Sequence, residues 1–331
     1  MKGRIAPAML ASVAFVVVNT SVQAADAKGE AAYPERPVRI VVPFPPGQTV
    51  DIVGRIMAER FTEAFGKQFI VDNRSGAAGT VGTALAARAT PDGYTLLIVS
   101  NGTLAGNTAL WKEKLPYNVI KDFAPVINFI ATPQLLVASP SLPYRTVQDI
   151  VKYAKANPGK INYALPGVGN SSHLAMEMLR ARAGIEIVPV PYQGSPAAFI
   201  DIMSGRIPIM FEAASGVLVH VRSGKIRAIA TGGTERAVFL PEVPTVAESG
   251  YPGYSAVPWV GVVAPAGAPK AIVAKLYGEA AKLLQTPEGK ARIINMGMEP
   301  LGMNPADFGA HIKVEIERWT KVVQDAGIKL E

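Results

Sequence analysis

Between residues 38 and 100, short apolar runs alternate with stretches whose apolar residues fall at helical spacing, and the same alternation restarts near residue 147. This recurrence constrains the fold more than any other feature. A buried strand, an amphipathic helix and another buried strand satisfy their apolar surfaces in a parallel sheet covered on both faces. In the first half the spacing predicts strands over 38–43, 68–72 and 94–100, with helices over 50–64 and 80–89. In the second it predicts helices over 147–156 and 173–183 and strands over 161–165, 185–190, 207–211, 226–231 and 257–263. Two late helices are expected over 269–285 and 305–325. A length of 331 residues also fits two units, at roughly 150 residues per domain. A crossover near 132–140 and a return near 253–258 would make the middle of the chain one lobe and leave both ends in the other.

The first 24 residues differ in character. Lys2 and Arg4 precede an apolar run over 6–18, and Val22-Gln23-Ala24 ends the stretch with a small residue. This is the pattern of a cleaved signal peptide, and the apolar run is shorter than the ~20 residues that span a bilayer. Cleavage would remove Lys2 and Arg4 and lower the formal charge from +7 to +5. The remaining Lys and Arg are interleaved with acids and apolar residues over 152–160 and 313–321, which reads as solvated surface and not as a nucleic-acid stripe. There is no cysteine, so disulfides, thiol nucleophiles and thiolate metal sites are excluded.

The stretch "PFPPGQTVD" joins the first strand to the first helix. The prolines hold the chain extended, Gly47 lets the backbone turn and approach a ligand, and a helix starting at Gln48 or Thr49 presents unpaired amides and a positive dipole end. Such a terminus suits an anion. Asp51, in the first turn, either caps those amides or receives the amine of a zwitterion. A second junction, "ALPGVGNSSHL", places Gly167 and Gly169 after a strand and Asn170, Ser171 and Ser172 at cap positions. "PYQGSP" supplies a third turn at Gly194. Two such termini aimed at one cleft would clamp a small anion; plain turn and cap duty is the competing explanation for each.

Signals for catalysis are weak. "GVGNSS" departs from the dinucleotide fingerprint at its third glycine, and the acid that should close the next strand is missing. No Gly-x-Ser-x-Gly elbow accompanies His173, and no Walker lysine follows Gly47. His173, His220 and His311 lack zinc-ligand spacing. Neither a metal nor a cofactor is expected.

The segments "YPERPVRIVVPFPPGQTVD", "DNRSGAAGTVG", "PDGYTLL", "LPYNVIKDFAPV", "VPYQGSPAAFIDIMSGRI" and "LPEVPTVAESGYPGY" resemble, in this order, the Bug family of extracytoplasmic receptors of tripartite tricarboxylate transporters. The resemblance spans residues 33–331. It implies a type II periplasmic-binding-protein fold, α/β, with two lobes joined by two crossing strands. It further implies a ligand carboxylate held between the turns at 44–51 and 167–173 by backbone amides and water. Gln48 stands where a second glycine is usual, Asn170 where serine or threonine is, and Ser75 and Ala78 replace a proline and a glycine.

The expected organisation is a signal peptide over 1–24, one lobe from 33–135 with 256–331, and a second from 136–255. Phe44, Gly47, Gln48, Thr49 and Asp51 would serve one side of the cleft, and Gly167, Gly169, Asn170, Ser171 and Ser172 the other. Ser100, Asn101 and Gly102 would line its far part, with Gly194 and Asp201 as further candidates. The expected role is that of a monomeric periplasmic receptor that takes a small carboxylate to a membrane permease. A sensor presenting its liganded state to a signalling partner, or an exported enzyme on the same fold, are the rivals.

Overall fold

The computed structural model describes residues 33–325, so the expected signal peptide lies outside the described residues. In the first half, β1 (Val38–Val42), β2 (Phe69–Asn73) and β3 (Thr95–Ser100) alternate with α1 (Thr49–Phe65) and α2 (Thr80–Ala87). A π-helical segment (Gly102–Gly106) and α3 (Asn107–Trp111) follow β3. The chain then runs through β4 (Phe123–Ala131), crosses at Thr132 and Pro133, and enters β5 (Gln134–Ala138). The middle unit holds α4 (Val147–Ala156), β6 (Asn162–Leu165), α5 (Ser171–Ala183) and β7 (Val188–Pro191). It closes with α6 (Ser195–Met203), β8 (Ile209–Ala213), α7 (Ala214–Arg222) and β9 (Arg227–Thr231). The return strand β10 (Trp259–Pro265) leads to α8 (Lys270–Gln285), α9 (Pro287–Asn295), β11 (Glu299–Met303) and α10 (Pro305–Asp325).

These strands form a six-stranded sheet ordered β11-β4-β10-β3-β1-β2 and a five-stranded sheet ordered β7-β6-β8-β5-β9. The continuous apolar runs are buried on both faces, as period-two alternation requires. Ile40 and Val42 pack with α1 and α8, whereas Val41, Leu97 and Val99 pack on the opposite side with Ala86, Phe308 and Ile312. In the second sheet Leu136 and Ala138 face α4 and α5, and Leu135 and Val137 face α6 and α7.

One expectation needs correction: the sheets are mixed, not parallel. β10 runs antiparallel to β3 and β4, and β5 runs antiparallel to β8 and β9. The reason is the crossing itself. β5 enters the second sheet at the edge where β6 and β8 end, and β10 enters the first at the edge where β1 and β3 end. Each therefore points against its neighbours. The two connections lie side by side, with Thr132 N–H donating to the Pro258 carbonyl at 2.8 Å and Gln134 N–H to that of Ala256 at 3.0 Å.

Candidate functional site

At one edge of each sheet the strands end in turns that start helices, and the paired crossing strands bring these edges face to face. Thr49, opening α1, shares a 2.7 Å hydroxyl contact with Ser215 in the first turn of α7. A Cβ on Gly194 would lie 3.9 Å from Gln48 Nε2, and one on Gly169 would lie 3.2 Å from Leu110 Cδ1. Each pair spans the two sheets.

The turn before α1 is held from behind. Gln48 is extended and gives the helix no side-chain cap; the first helical bond runs from Ile52 N–H to the Gln48 carbonyl at 2.9 Å. The amides of Thr49, Val50 and Asp51 thus precede the ladder. Gly47 has φ +88°, a conformation that favours glycine, and a Cβ there would meet nothing within 4 Å, so the backbone conformation and not crowding demands this residue.

Asp51 is buried and points inward. Its Oδ2 accepts from Gly47 N–H and Arg55 Nε, both at 2.9 Å, and its Oδ1 accepts from Asn73 Nδ2 at 2.9 Å and Arg55 Nη2 at 3.1 Å. Burial alone would push this carboxyl up, but the bonds from Arg55, Asn73 and Gly47 outweigh it and hold it below the usual carboxylate range. Asn73 also donates to the Phe44 carbonyl at 2.9 Å. Asp51 therefore fastens the turn and is not free to meet an amine, and it leaves the Gly47 amide engaged as well.

Two neighbouring turns complete this edge. Gly79 sits where a Cβ would lie 2.8 Å from Thr103 Cγ2 and 3.1 Å from the Phe44 ring, so it lets the turns after β1, β2 and β3 converge. Ser100 and Thr103 lock each other: Thr103 Oγ1 accepts from Ser100 N–H at 2.9 Å, and Ser100 Oγ accepts from Thr103 N–H at 3.3 Å. Asn101 is buried, and Gly102 begins the π segment.

Across the seam, α5 is capped by its own sequence. Asn170 Oδ1 accepts from His173 N–H at 2.9 Å, and Gly169 N–H donates to His173 Nδ1 at 3.1 Å. Burial pushes the His173 pKa down, which suits a neutral ring with Nδ1 as acceptor. Gly167 is packed against the Asn170 amide, where a Cβ would lie 3.1 Å from Nδ2. Gln134, fully buried at the start of β5, donates to Ser171 Oγ at 3.2 Å and accepts from Ser172 Oγ at 3.1 Å. The crossing strand thereby sets the orientation of both serines.

Gly194 and Ser195 begin α6, and Ser195 Oγ donates to Glu212 Oε2 at 2.5 Å. Burial pushes Glu212 up to about 7, against the lowering bonds from Ser195 and the Ala213 amide. Asp201 lies farther along α6, bound by Tyr192 Oη at 2.6 Å and Arg206 Nη1 at 2.7 Å. It clamps its own helix to the preceding strand's end, so the structure gives it a local role.

The sequence reading missed Gln134, Glu212 and Ser215. Gln134 and Glu212 were visible as lone polar residues bounding the apolar runs "QLLVA" and "IPIMFE". Ser215 carried no such signal. What the turns at 47–51 and 169–172 offer an anion is amides and hydroxyls.

Comparison with known proteins agrees with this architecture. Residues 53–328 match the tripartite tricarboxylate transporter family receptor, TctC. The protein BugT of Bordetella pertussis is 35% identical over 299 residues, covering 90% of this chain and 92% of that one. A structure of an R. palustris protein with adipate superposes with a TM-score of 0.86 at 36% identity, over 90% of this chain and 99% of the other. MatC from Rhodopseudomonas palustris, with bound malate, superposes with a TM-score of 0.80 at 30% identity, over 88% and 100%. With the two-lobed α/β fold in place and most of its length matched, the chain, similar also to the Bug proteins BugT and BugD, belongs to the tripartite tricarboxylate transporter receptor family.

Proposed function

We propose that the protein is a periplasmic receptor that captures a small mono- or dicarboxylate between its lobes and delivers it to a membrane permease of the tripartite tricarboxylate type. The observation that supports this reading is the pair of strand-to-helix turns at 44–49 and 167–172, fixed from behind by Asp51 and Gln134, with Gln48 and Thr49 of the first adjoining Gly194 and Ser215 of the opposite lobe and Gly169 of the second adjoining Leu110. Helix N-termini with hydroxyls favour an anion without needing an arginine. The adipate and malate held by two similar proteins support the ligand class. In this proposal Phe44, Gly47, Gln48 and Thr49 contact the ligand from one lobe and Gly169, Asn170, Ser171 and Ser172 from the other, with Ser100, Asn101 and Gly102 toward the far end. The moving bodies are the unit built on the six-stranded sheet and the unit built on the five-stranded sheet, and closure is a hinge motion about the crossing segments.

A thermal-shift comparison of adipate and malate with their methyl esters tests this. A ligand at a hundred times its Kd adds about 2.7 kcal/mol to the folded state, a shift on the order of a few degrees for a chain of this size. The free acids should stabilise and the esters should not, because esterification removes the charge that the amides meet. Equal stabilisation by ester and acid would refute the anion site.

A further inference from the structure

Glu212 stands at the end of β8, in register with Leu135, and shares with it the sheet face covered by α6 and α7. Its side chain is more than nine-tenths buried. Oε2 accepts from Ser195 Oγ at 2.5 Å, and a Cβ on Gly216 would lie 3.2 Å from Oε1, so the carboxyl is wedged between the first turns of α6 and α7. Both turns reach the opposite lobe: Gly194 precedes Ser195 and adjoins the Gln48 amide, and Ser215 precedes Gly216 and bonds Thr49. The acid therefore lies directly behind the two contacts that close over the turn before α1.

Most charged and titratable groups on the surrounding elements are engaged elsewhere; the exception is Glu299, pushed up by burial and by Glu235, and lying two residues after Gly297, which packs on the first turn of α7. On α6 and the turn after it, Asp201 pairs with Tyr192 and Arg206. On α7, His220 stacks on Phe199 and Arg222 donates to the Asn295 carbonyl. On α5, Glu177 pairs with Tyr163 and Arg180, and His173 accepts from Gly169. Arg227 on β9 donates to the carbonyls of Pro140, Leu142 and Tyr144. Among the described residues no ion pair offsets Glu212. What favours its ionised form is hydrogen bonding and two helix ends; what opposes it is burial.

We propose that Glu212 enters the closed complex as a neutral carboxylic acid, so that binding of a carboxylate anion takes up one proton from solvent. An anion at the α1 turn adds negative charge to the same buried seam and raises the cost of keeping Glu212 ionised. The balance is simple: ligand anion, ionised protein and one proton give the complex, with the proton on the Glu212 carboxyl. Protonated Glu212 keeps its short bond to Ser195, because a hydroxyl both donates and accepts. This inference rests on the carboxylate reading of the cleft.

The test is titration calorimetry with adipate and with malate, each in two buffers of different ionisation heat, at pH 6 and pH 8. Burial pushes the carboxyl of the ligand-free protein up to about 7. The wild type should therefore take up close to one proton at pH 8 and about a tenth of one at pH 6, and its affinity should fall roughly tenfold per pH unit above that midpoint. In Glu212→Gln the uptake at pH 8 should vanish and the affinity should be flat from pH 6 to 8. Binding by the wild type without proton uptake, or the same uptake in the variant, overturns the proposal. If Glu212→Gln does not fold, Ser195→Ala serves: it removes a bond that favours the ionised form, so the uptake midpoint should move up, and an unmoved midpoint counts against the assignment. Absence of binding by either acid at both pH values is a different failure; it removes the carboxylate reading and this inference with it.

Discussion

Replacing Asp51 should destabilise the protein far more than an exposed helix acid would, and the structure sets the size. Both carboxylate oxygens accept two hydrogen bonds, from Gly47 N–H and Arg55 Nε on one side and from Asn73 Nδ2 and Arg55 Nη2 on the other. Bonds to a charged acceptor contribute about 1.5–3 kcal/mol each when the partner is left unpaired. The Arg55 share is small, because that side chain is 57% exposed and solvent screens the pair. Counting Gly47 and Asn73 at the low end, with about half a kcal/mol for Arg55, Asp51→Ala should cost about 3–4 kcal/mol. Asp51→Asn should not rescue it fully. Either orientation of the new amide places an N–H₂ against a donor, so a loss of about 2 kcal/mol is expected. Urea unfolding followed by circular dichroism measures both. A loss below about 1 kcal/mol in Asp51→Ala would refute the inward, turn-fastening role and return Asp51 to the ligand side of the cleft.

Ala78 has φ 52° and ψ 36°, the left-handed region, and its carbonyl is held there by Asn107 Nδ2 at 3.0 Å. Ala78→Gly should stabilise the protein by about 0.5–1 kcal/mol, the left-handed penalty less the glycine entropy, and a lower denaturant midpoint would contradict this. Ser215→Ala removes the hydroxyl that meets Thr49 at 2.7 Å and Thr132 at 3.4 Å. A loss of about 1 kcal/mol from the closed form should shift the ligand-free population roughly fivefold toward open, visible as a larger radius of gyration in small-angle scattering; an unchanged radius would mean that this contact does not latch the lobes.

Much of the fold was legible because its signals are local. Helices over 147–156 and 305–325 begin and end where apolar spacing and caps put them, and Thr146 with Asp149 forms a reciprocal cap at the first. The strands β1, β3 and β6 follow from continuous apolar runs bounded by turn residues. Less legible were α7, α9 and β11, which are short. The mixed sheets were illegible for another reason. Strand direction depends on where the chain re-enters a sheet, and an apolar run such as "WVGVVAP" reads the same whichever way it points.

The sequence by itself determined that strand-turn-helix junctions exist at Gly47, Gly169 and Gly194, because a positive φ and an unpaired helix start are properties of a few consecutive residues. Only the tertiary structure decided which junctions meet and what each polar side chain does there. Thr49 and Ser215 touch across 166 positions, and Gln134 reaches the serines of α5 across 37 and 38, because the strand order places their turns along facing edges. Asp51 and Glu212 make the point most plainly. In the sequence both are acids beside a turn; in the fold, four donors surround the first and keep it ionised, while burial without a cation carries the second to about 7. The difference lies in the donors and solvent that surround each carboxyl, and those are assembled by residues far apart in the chain.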